Sequence, residues 1–199
     1  MEFGLQNADY HQQPTITKLT HPACQLMKLS DRCAAIRLVL SDVDGVLTDG
    51  RLIYDNQGGE AKQFHIRDGQ GIRLWQQSGG TFGIVTARSS AMVTRRAEEL
   101  DITLVKQGVK NKLAEVQEIA IEFGCDLKEI CYVGDDVLDW ATIQSVGLGV
   151  AVADAVEEVR QSAKYVTSQP GGHGAIRELI ELLLKNTNRW ESTIHKYQA

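Results

Sequence analysis

Apolar positions along this chain follow two periods, and segments of the two periods alternate. Residues 36–40, 82–85, 102–105, 130–133 and 149–152 are short apolar runs rich in β-branched side chains, which predicts strands buried in a sheet. Between them, residues 112–123 carry Leu113, Val116, Ile119, Ala120 and Phe123 at helical spacing, so one face of that helix is expected to be buried. Residues 65–71 lead into a helix with Ile72, Leu74 and Trp75, which Gly79 and Gly80 end. Residues 91–100 and 175–184 predict further helices, and Asp154 three residues before Glu157 has the form of a capping box for another. Tyr165-Val166 adds a last short strand. This alternation predicts an α/β fold, a doubly wound parallel sheet with right-handed crossovers.

Some stretches depart from the pattern. Residues 51–54 and 61–64 are short alternating runs around Asn56, Gly58 and Gly59, which predicts a β-hairpin over residues 50–64. It should project as a flap or as an oligomer contact. Residues 22–34 predict a short helix with Leu26, Met27, Leu29 and Cys33 on one face. Residues 1–20 are polar without a period and read as a poorly ordered tail, and residues 185–199 as a C-terminal tail, leaving one domain over residues 21–184.

Composition narrows the classes. With 199 residues and 43% apolar content the chain is large enough for a single real core. No apolar run approaches the ~20 residues that span a bilayer, and the amino terminus lacks a charged-then-apolar signal pattern, so we expect no membrane partner and a cytoplasmic location. A net charge of −5 without a basic block argues against nucleic acid. Cys24, Cys33, Cys125 and Cys131 are too scattered for a Cys-x-x-Cys site and read as reduced thiols. The five histidines show no i, i+4 pair, which gives zinc little support.

The candidate chemistry sits where strands end. Asp42-Val43-Asp44-Gly45 follows the first apolar run, and in open parallel sheets ligands bind at that edge. Two such carboxylates repel unless a hard cation such as Mg²⁺ lies between them, and Gly45 lets the backbone turn toward an oxyanion. The plainer reading is a strand-ending turn. Asp135, in Gly134-Asp135-Asp136-Val137-Leu138-Asp139, again follows a buried run and is the natural third oxygen ligand. Thr86, after Ile84-Val85, is either a phosphate ligand at a helix start or a helix cap. Lys112 opens a helix, where the dipole disfavours a cation. Such a lysine is usually solvated, but facing an anion it can neutralise a phosphoryl group.

Four such signals in chain order resemble the haloacid dehalogenase superfamily over residues 36–184. Asp42–Gly50, Ile66-Arg67-Asp68-Gly69, Gly134-Asp135-Asp136 with Asp139-Trp140, Val152–Ala155 and Gly171–Gly174 further resemble the 3-deoxy-D-manno-octulosonate 8-phosphate phosphatases. The resemblance implies a cap-less homotetramer in which a neighbouring subunit closes the site, acting on a sugar acid phosphate in lipopolysaccharide precursor synthesis. It also implies Asp42 as nucleophile, Asp44 as acid and base, Mg²⁺ on Asp42, the Asp44 carbonyl and Asp135, and phosphate on Thr86 and Lys112. Asp136 and Asp139 are implied as supporting residues. Arg67, Arg73, Arg88 and Arg96, with the neighbouring His65, Ile66, Asp68 and Gly69, are implied to line the substrate pocket, since a guanidinium fork suits a carboxylate. Departures are Thr86-Ala87-Arg88 in place of Thr-Gly-Arg, and His173 where a longer basic residue is common. A phosphatase for a nine-carbon sugar acid and a non-catalytic binding subunit are the alternatives.

Overall fold

The computed structural model describes residues 27–198. Expectations for residues 1–20, for the start of the 22–34 helix and for Cys24 lie outside them. Helix α1 (Leu29–Ala35) enters strand β1 (Leu38–Ser41). A hairpin of β2 (Ile53–Tyr54) and β3 (Glu60–Ala61) follows, then α2 (Ile66–Gln77), β4 (Thr81–Val85), α3 (Ala91–Glu99), β5 (Leu104–Lys106) and α4 (Lys112–Phe123). The chain continues through β6 (Ile130–Gly134), α5 (Val137–Ser145), β7 (Leu148–Ala151), α6 (Glu157–Ser162), β8 (Tyr165–Val166), α7 (Ala175–Asn186) and α8 (Trp190–Ile194).

Six strands form one parallel sheet in the order β5-β4-β1-β6-β7-β8. The apolar runs of β1, β6 and β7 are buried throughout, as continuous runs must be when both sheet faces are covered. Helices α1, α2 and α7 pack together, and α4, α5 and α6 form a second group. The chain winds from β1 toward β5 and then returns to build β6, β7 and β8, so the direction reverses beside β1. A crevice opens at such a reversal, at the carboxyl ends of β1, β4 and β6.

Most element boundaries lie within two residues of the sequence expectation, and α4 matches it. The hairpin strands are shorter than expected, and the turn is tied by the Asp55 carboxylate, whose Oδ1 accepts from the N–H groups of Gln57 and Gly59 at 2.8 and 2.7 Å. The expected capping box on α6 is absent. Val156 is the N-cap, and the Asp154 carboxylate instead accepts from the Gly171 N–H at 2.9 Å. Part of the expected C-terminal tail is helical, with α8 packing on α2 and α7 and the Arg189 guanidinium over the Trp75 ring at 4.9 Å.

Candidate active site

The Asp42–Thr48 segment turns tightly because the Val43 carbonyl collects the N–H groups of Leu47 and Thr48 at 2.9 and 3.0 Å. Asp42 extends the β1 ladder by donating its N–H to the Val133 carbonyl at 3.0 Å, which fixes its carboxylate above the sheet end. Its Oδ1 accepts from the Val43 N–H at 2.7 Å, and its Oδ2 accepts from Lys112 Nζ at 2.6 Å. That ammonium also donates to Asp139 Oδ1 at 2.6 Å, where the Tyr132 hydroxyl donates as well, at 2.6 Å. All four side chains are buried, Asp42 directly after β1 and the others on α4, α5 and β6. Lys112 is placed by helix capping: Asn111 accepts from the Ala114 N–H and starts α4 with the lysine as its first residue.

Burial pushes the Asp42 carboxyl above its ordinary 3.8, more than the Lys112 charge lowers it. Burial disfavours the Lys112 ammonium, but Asp42 and Asp139 outweigh it and hold its pKa above 10.5. Asp135 is pushed up to about 7, by burial first and then by the charges of Asp139 and Asp42.

Asp42, Asp135 and Asp139 offer carboxylate oxygens within 4.8 Å of one another. The Asp139 oxygens are already engaged: Oδ1 by Lys112 and Tyr132, Oδ2 by the N–H groups of Asp135 and Asp136 at 3.1 and 3.4 Å. Each Asp139 oxygen accepts two hydrogen bonds, each Asp42 oxygen only one, and the Asp135 carboxylate none among the described residues, so Asp42 and Asp135 keep the lone pairs to hold a cation, with more negative charge than Lys112 offsets. Hard oxygen donors in surplus fit Mg²⁺. Gly45 makes room for this arrangement, since at its φ of +85° a Cβ would lie 2.0 Å from Asp135 Oδ2.

Asp44 stands apart from this trio, at the mouth of the same cleft of about 250 Å³. Its Oδ1 accepts from Lys62 Nζ, and its Oδ2 lies 3.6 Å from Arg88 Nε. Glu60 joins both cations, 3.5 Å from Lys62 Nζ and 3.2 Å from Arg88 Nη2. Lys62 was not singled out by its sequence position. Its only signal was a lysine within the predicted second flap strand, residues 61–64, and a hairpin does not say which loop it folds upon.

Residues 102–179 match the haloacid dehalogenase-like hydrolase family. The 3-deoxy-D-manno-octulosonate 8-phosphate phosphatase of Yersinia pestis is 42% identical over 160 residues, 80% of this chain and 86% of that protein. This chain belongs to that phosphatase family. The enzyme of the same name from Escherichia coli is 44% identical over 149 residues, 75% of this chain and 79% of its own. Among solved structures, the Moraxella catarrhalis phosphatase in complex with magnesium, phosphate and KDO superposes with a TM-score of 0.83 at 39% identity, covering 84% of this chain and 97% of that one.

The residues expected at the site divide into two sets by where the fold places them. Asp42, Asp44, Thr86, Arg88, Asp135, Asp136 and Asp139 line the cleft, and Lys112 reaches it through Asp42. Thr86 is not at a helix start, because α3 begins at Ala91 with Ser90 as its cap. Thr86 is held instead by its backbone, its N–H donating to the Lys106 carbonyl at 2.9 Å and its carbonyl accepting from Val109 at 3.0 Å.

The second set lies along α2 and α3. Asp68 is buried and faces away from the cleft, accepting from the N–H groups of Gly174 and Arg177 at 3.2 and 2.8 Å. Helix α7 begins at a glycine without a capping side chain, so Asp68 caps it from a neighbouring helix. His65 stands 4.0 Å from Asp68, and Ile66 and Arg67 are exposed on the first turn of α2. Arg96 pairs with Glu99 and passes over Gly69, where a Cβ would lie 2.3 Å from its Nη2. Arg73 donates to the Glu99 carbonyl at 2.5 Å. Arg73 lines grooves of about 490 and 380 Å³, the second together with Arg96, which are larger than the carboxylate cleft but hold none of its acids, so volume does not identify the site. The Gly171–Gly174 stretch packs on this chain's own turn: the Gly172 N–H donates to the Val46 carbonyl at 2.9 Å. A Cβ on Gly171 would lie 1.8 Å from the Gly45 oxygen.

Proposed function

We propose that this protein is a Mg²⁺-dependent phosphatase that hydrolyses 3-deoxy-D-manno-octulosonate 8-phosphate to the free sugar acid and phosphate, in lipopolysaccharide precursor synthesis. The observation that carries the reading is the buried Asp42–Lys112–Asp139 centre with a separately held Asp44 at the mouth of the same cleft. Asp42 attacks phosphorus in line as the bond to the sugar oxygen breaks, which forms an aspartyl phosphate. Asp44 gives its proton to the leaving alkoxide. It then takes a proton from the water whose oxygen attacks phosphorus, and phosphate leaves with Asp42 regenerated. Lys112 and the Thr86 hydroxyl offset charge on the phosphoryl oxygens, while Asp139 and Tyr132 hold the ammonium in place. Bound by Asp42, Asp135 and the Asp44 carbonyl, Mg²⁺ would supply positive charge between nucleophile and phosphoryl group.

Arg88 is the substrate-carboxylate candidate within this chain's cleft. We place Arg67, Arg73 and Arg96 at a neighbouring subunit of a homotetramer. Exposed Leu52, Ile53 and Tyr54 on the hairpin support this assembly, because a lone two-stranded hairpin with such side chains is marginal in water. Sedimentation at micromolar concentration tests it, and a fully active monomer would remove it. Among the described residues no helix is long and apolar enough to cross a membrane, and the free thiols of Cys33, Cys125 and Cys131 fit the reducing cytoplasm. Phosphate release measured across eight- and nine-carbon sugar acid phosphates tests the substrate. A preference for the nine-carbon ester, or no turnover of either, would overturn the reading.

A further inference from the structure

We infer that Lys62 is a positioning residue for the acid–base step: it fixes the Asp44 carboxylate in the cleft and leaves Arg88 free to meet substrate. This rests on the acid–base reading of Asp44. The two cations on Asp44 differ in exposure. Lys62 has a side chain 1% exposed although the hairpin that carries it is open to water, with Tyr54 62% exposed. The Arg88 side chain is 44% exposed. An exposed guanidinium can swing to a sugar carboxylate at small cost, whereas withdrawing a buried ammonium would strand its charge. Each Asp44 oxygen faces one cation and Glu60 faces both, so Asp44, Glu60, Lys62 and Arg88 form a quartet that is charge-balanced in the ionised state of Asp44, the state that activates the attacking water. The trio of Asp42, Asp135 and Asp139 has a surplus of negative charge instead. The quartet thus holds the Asp44 side chain away from the cation-attracting trio, and the hairpin supplies half of it. A flap built this way acts on the chemistry as well as covering it.

The test compares Lys62→Met and Lys62→Arg on two esters, a sugar acid phosphate and p-nitrophenyl phosphate, whose leaving group needs no proton. We expect Lys62→Met to lower kcat on the sugar phosphate about 10- to 100-fold with KM within about threefold, part of the 10²–10⁴ that acid–base catalysis supplies. The single-turnover burst of p-nitrophenol should stay within about threefold, and Lys62→Arg should recover much of the loss. In an Asp44→Asn background Lys62→Met should cost less than about twofold more, because its partner is gone. Equal losses on both esters would make Lys62 a mere tether of the hairpin, and a change in KM alone would make it a substrate ligand; either result overturns the inference. A fully active Lys62→Met beside an inactive Asp44→Asn would sink the inference and leave the acid–base reading standing. A fully active Asp44→Asn would sink that reading itself.

Discussion

Asp135 gives the site a stability cost that can be measured. Its carboxyl is pushed from an ordinary 3.8 to about 7 by burial and by Asp139 and Asp42. At 1.36 kcal/mol per pH unit the metal-free protein carries a penalty of about 4 kcal/mol once Asp135 is ionised. Because the folded pKa lies above the unfolded one, the penalty is absent below about pH 4. It grows as pH rises and is complete above about pH 7. Asp135→Asn removes the charge and keeps the shape. In chelator at pH 8 the variant should therefore melt above wild type by about 10 °C, at roughly 2–4 °C per kcal/mol for a chain of this size. At pH 5 the difference should shrink to less than about 2 kcal/mol. Saturating Mg²⁺ should then narrow the gap at pH 8 to about 1–2 kcal/mol, because wild type gains about 2.7 kcal/mol at a hundredfold excess over Kd and the variant gains little. Scanning calorimetry at the two pH values, with and without Mg²⁺, reads all four quantities. A variant no more stable than wild type in chelator at pH 8, or an advantage that does not change with pH, would refute the account of a charge-crowded site.

Asp42→Asn should abolish phosphate release while leaving the melting temperature at or above wild type, since a buried charge is removed and Lys112 keeps Asp139; activity within about tenfold of wild type would end the nucleophile assignment. Chelation should stop turnover and Mg²⁺ restore it, with Ca²⁺ a poor substitute because its larger, looser shell spoils in-line geometry; steady-state assays in excess chelator check this. Asp68→Ala should lower stability by about 2 kcal/mol by leaving the buried Gly174 N–H and the part-buried Arg177 N–H unpaired. Denaturant unfolding measures that loss, which should appear without a matching change in KM.

The apolar periods alone determined the alternation of strands and helices, because a buried parallel strand must be apolar on both faces and a covering helix must be apolar on one. They also placed Asp42, Thr86 and Asp135 at strand ends, since the carboxylates and hydroxyl directly follow runs that have to be buried. Tertiary structure decided what those residues touch. Asp68 reads as a site acid beside Arg67, yet it faces inward, because α7 begins at a glycine and its N–H groups need an acceptor from another helix. Asp154 has the spacing of a helix cap, yet it is drawn to the Gly171 loop, a contact 17 residues away that no local pattern encodes. Lys62 reads as one more polar hairpin residue, and only the fold of the hairpin over the β1 turn makes it the partner of Asp44. Local periodicity fixes which backbone is helix or strand, whereas the partner of a charge is set by whichever opposite charge or unpaired N–H group the packing brings within reach.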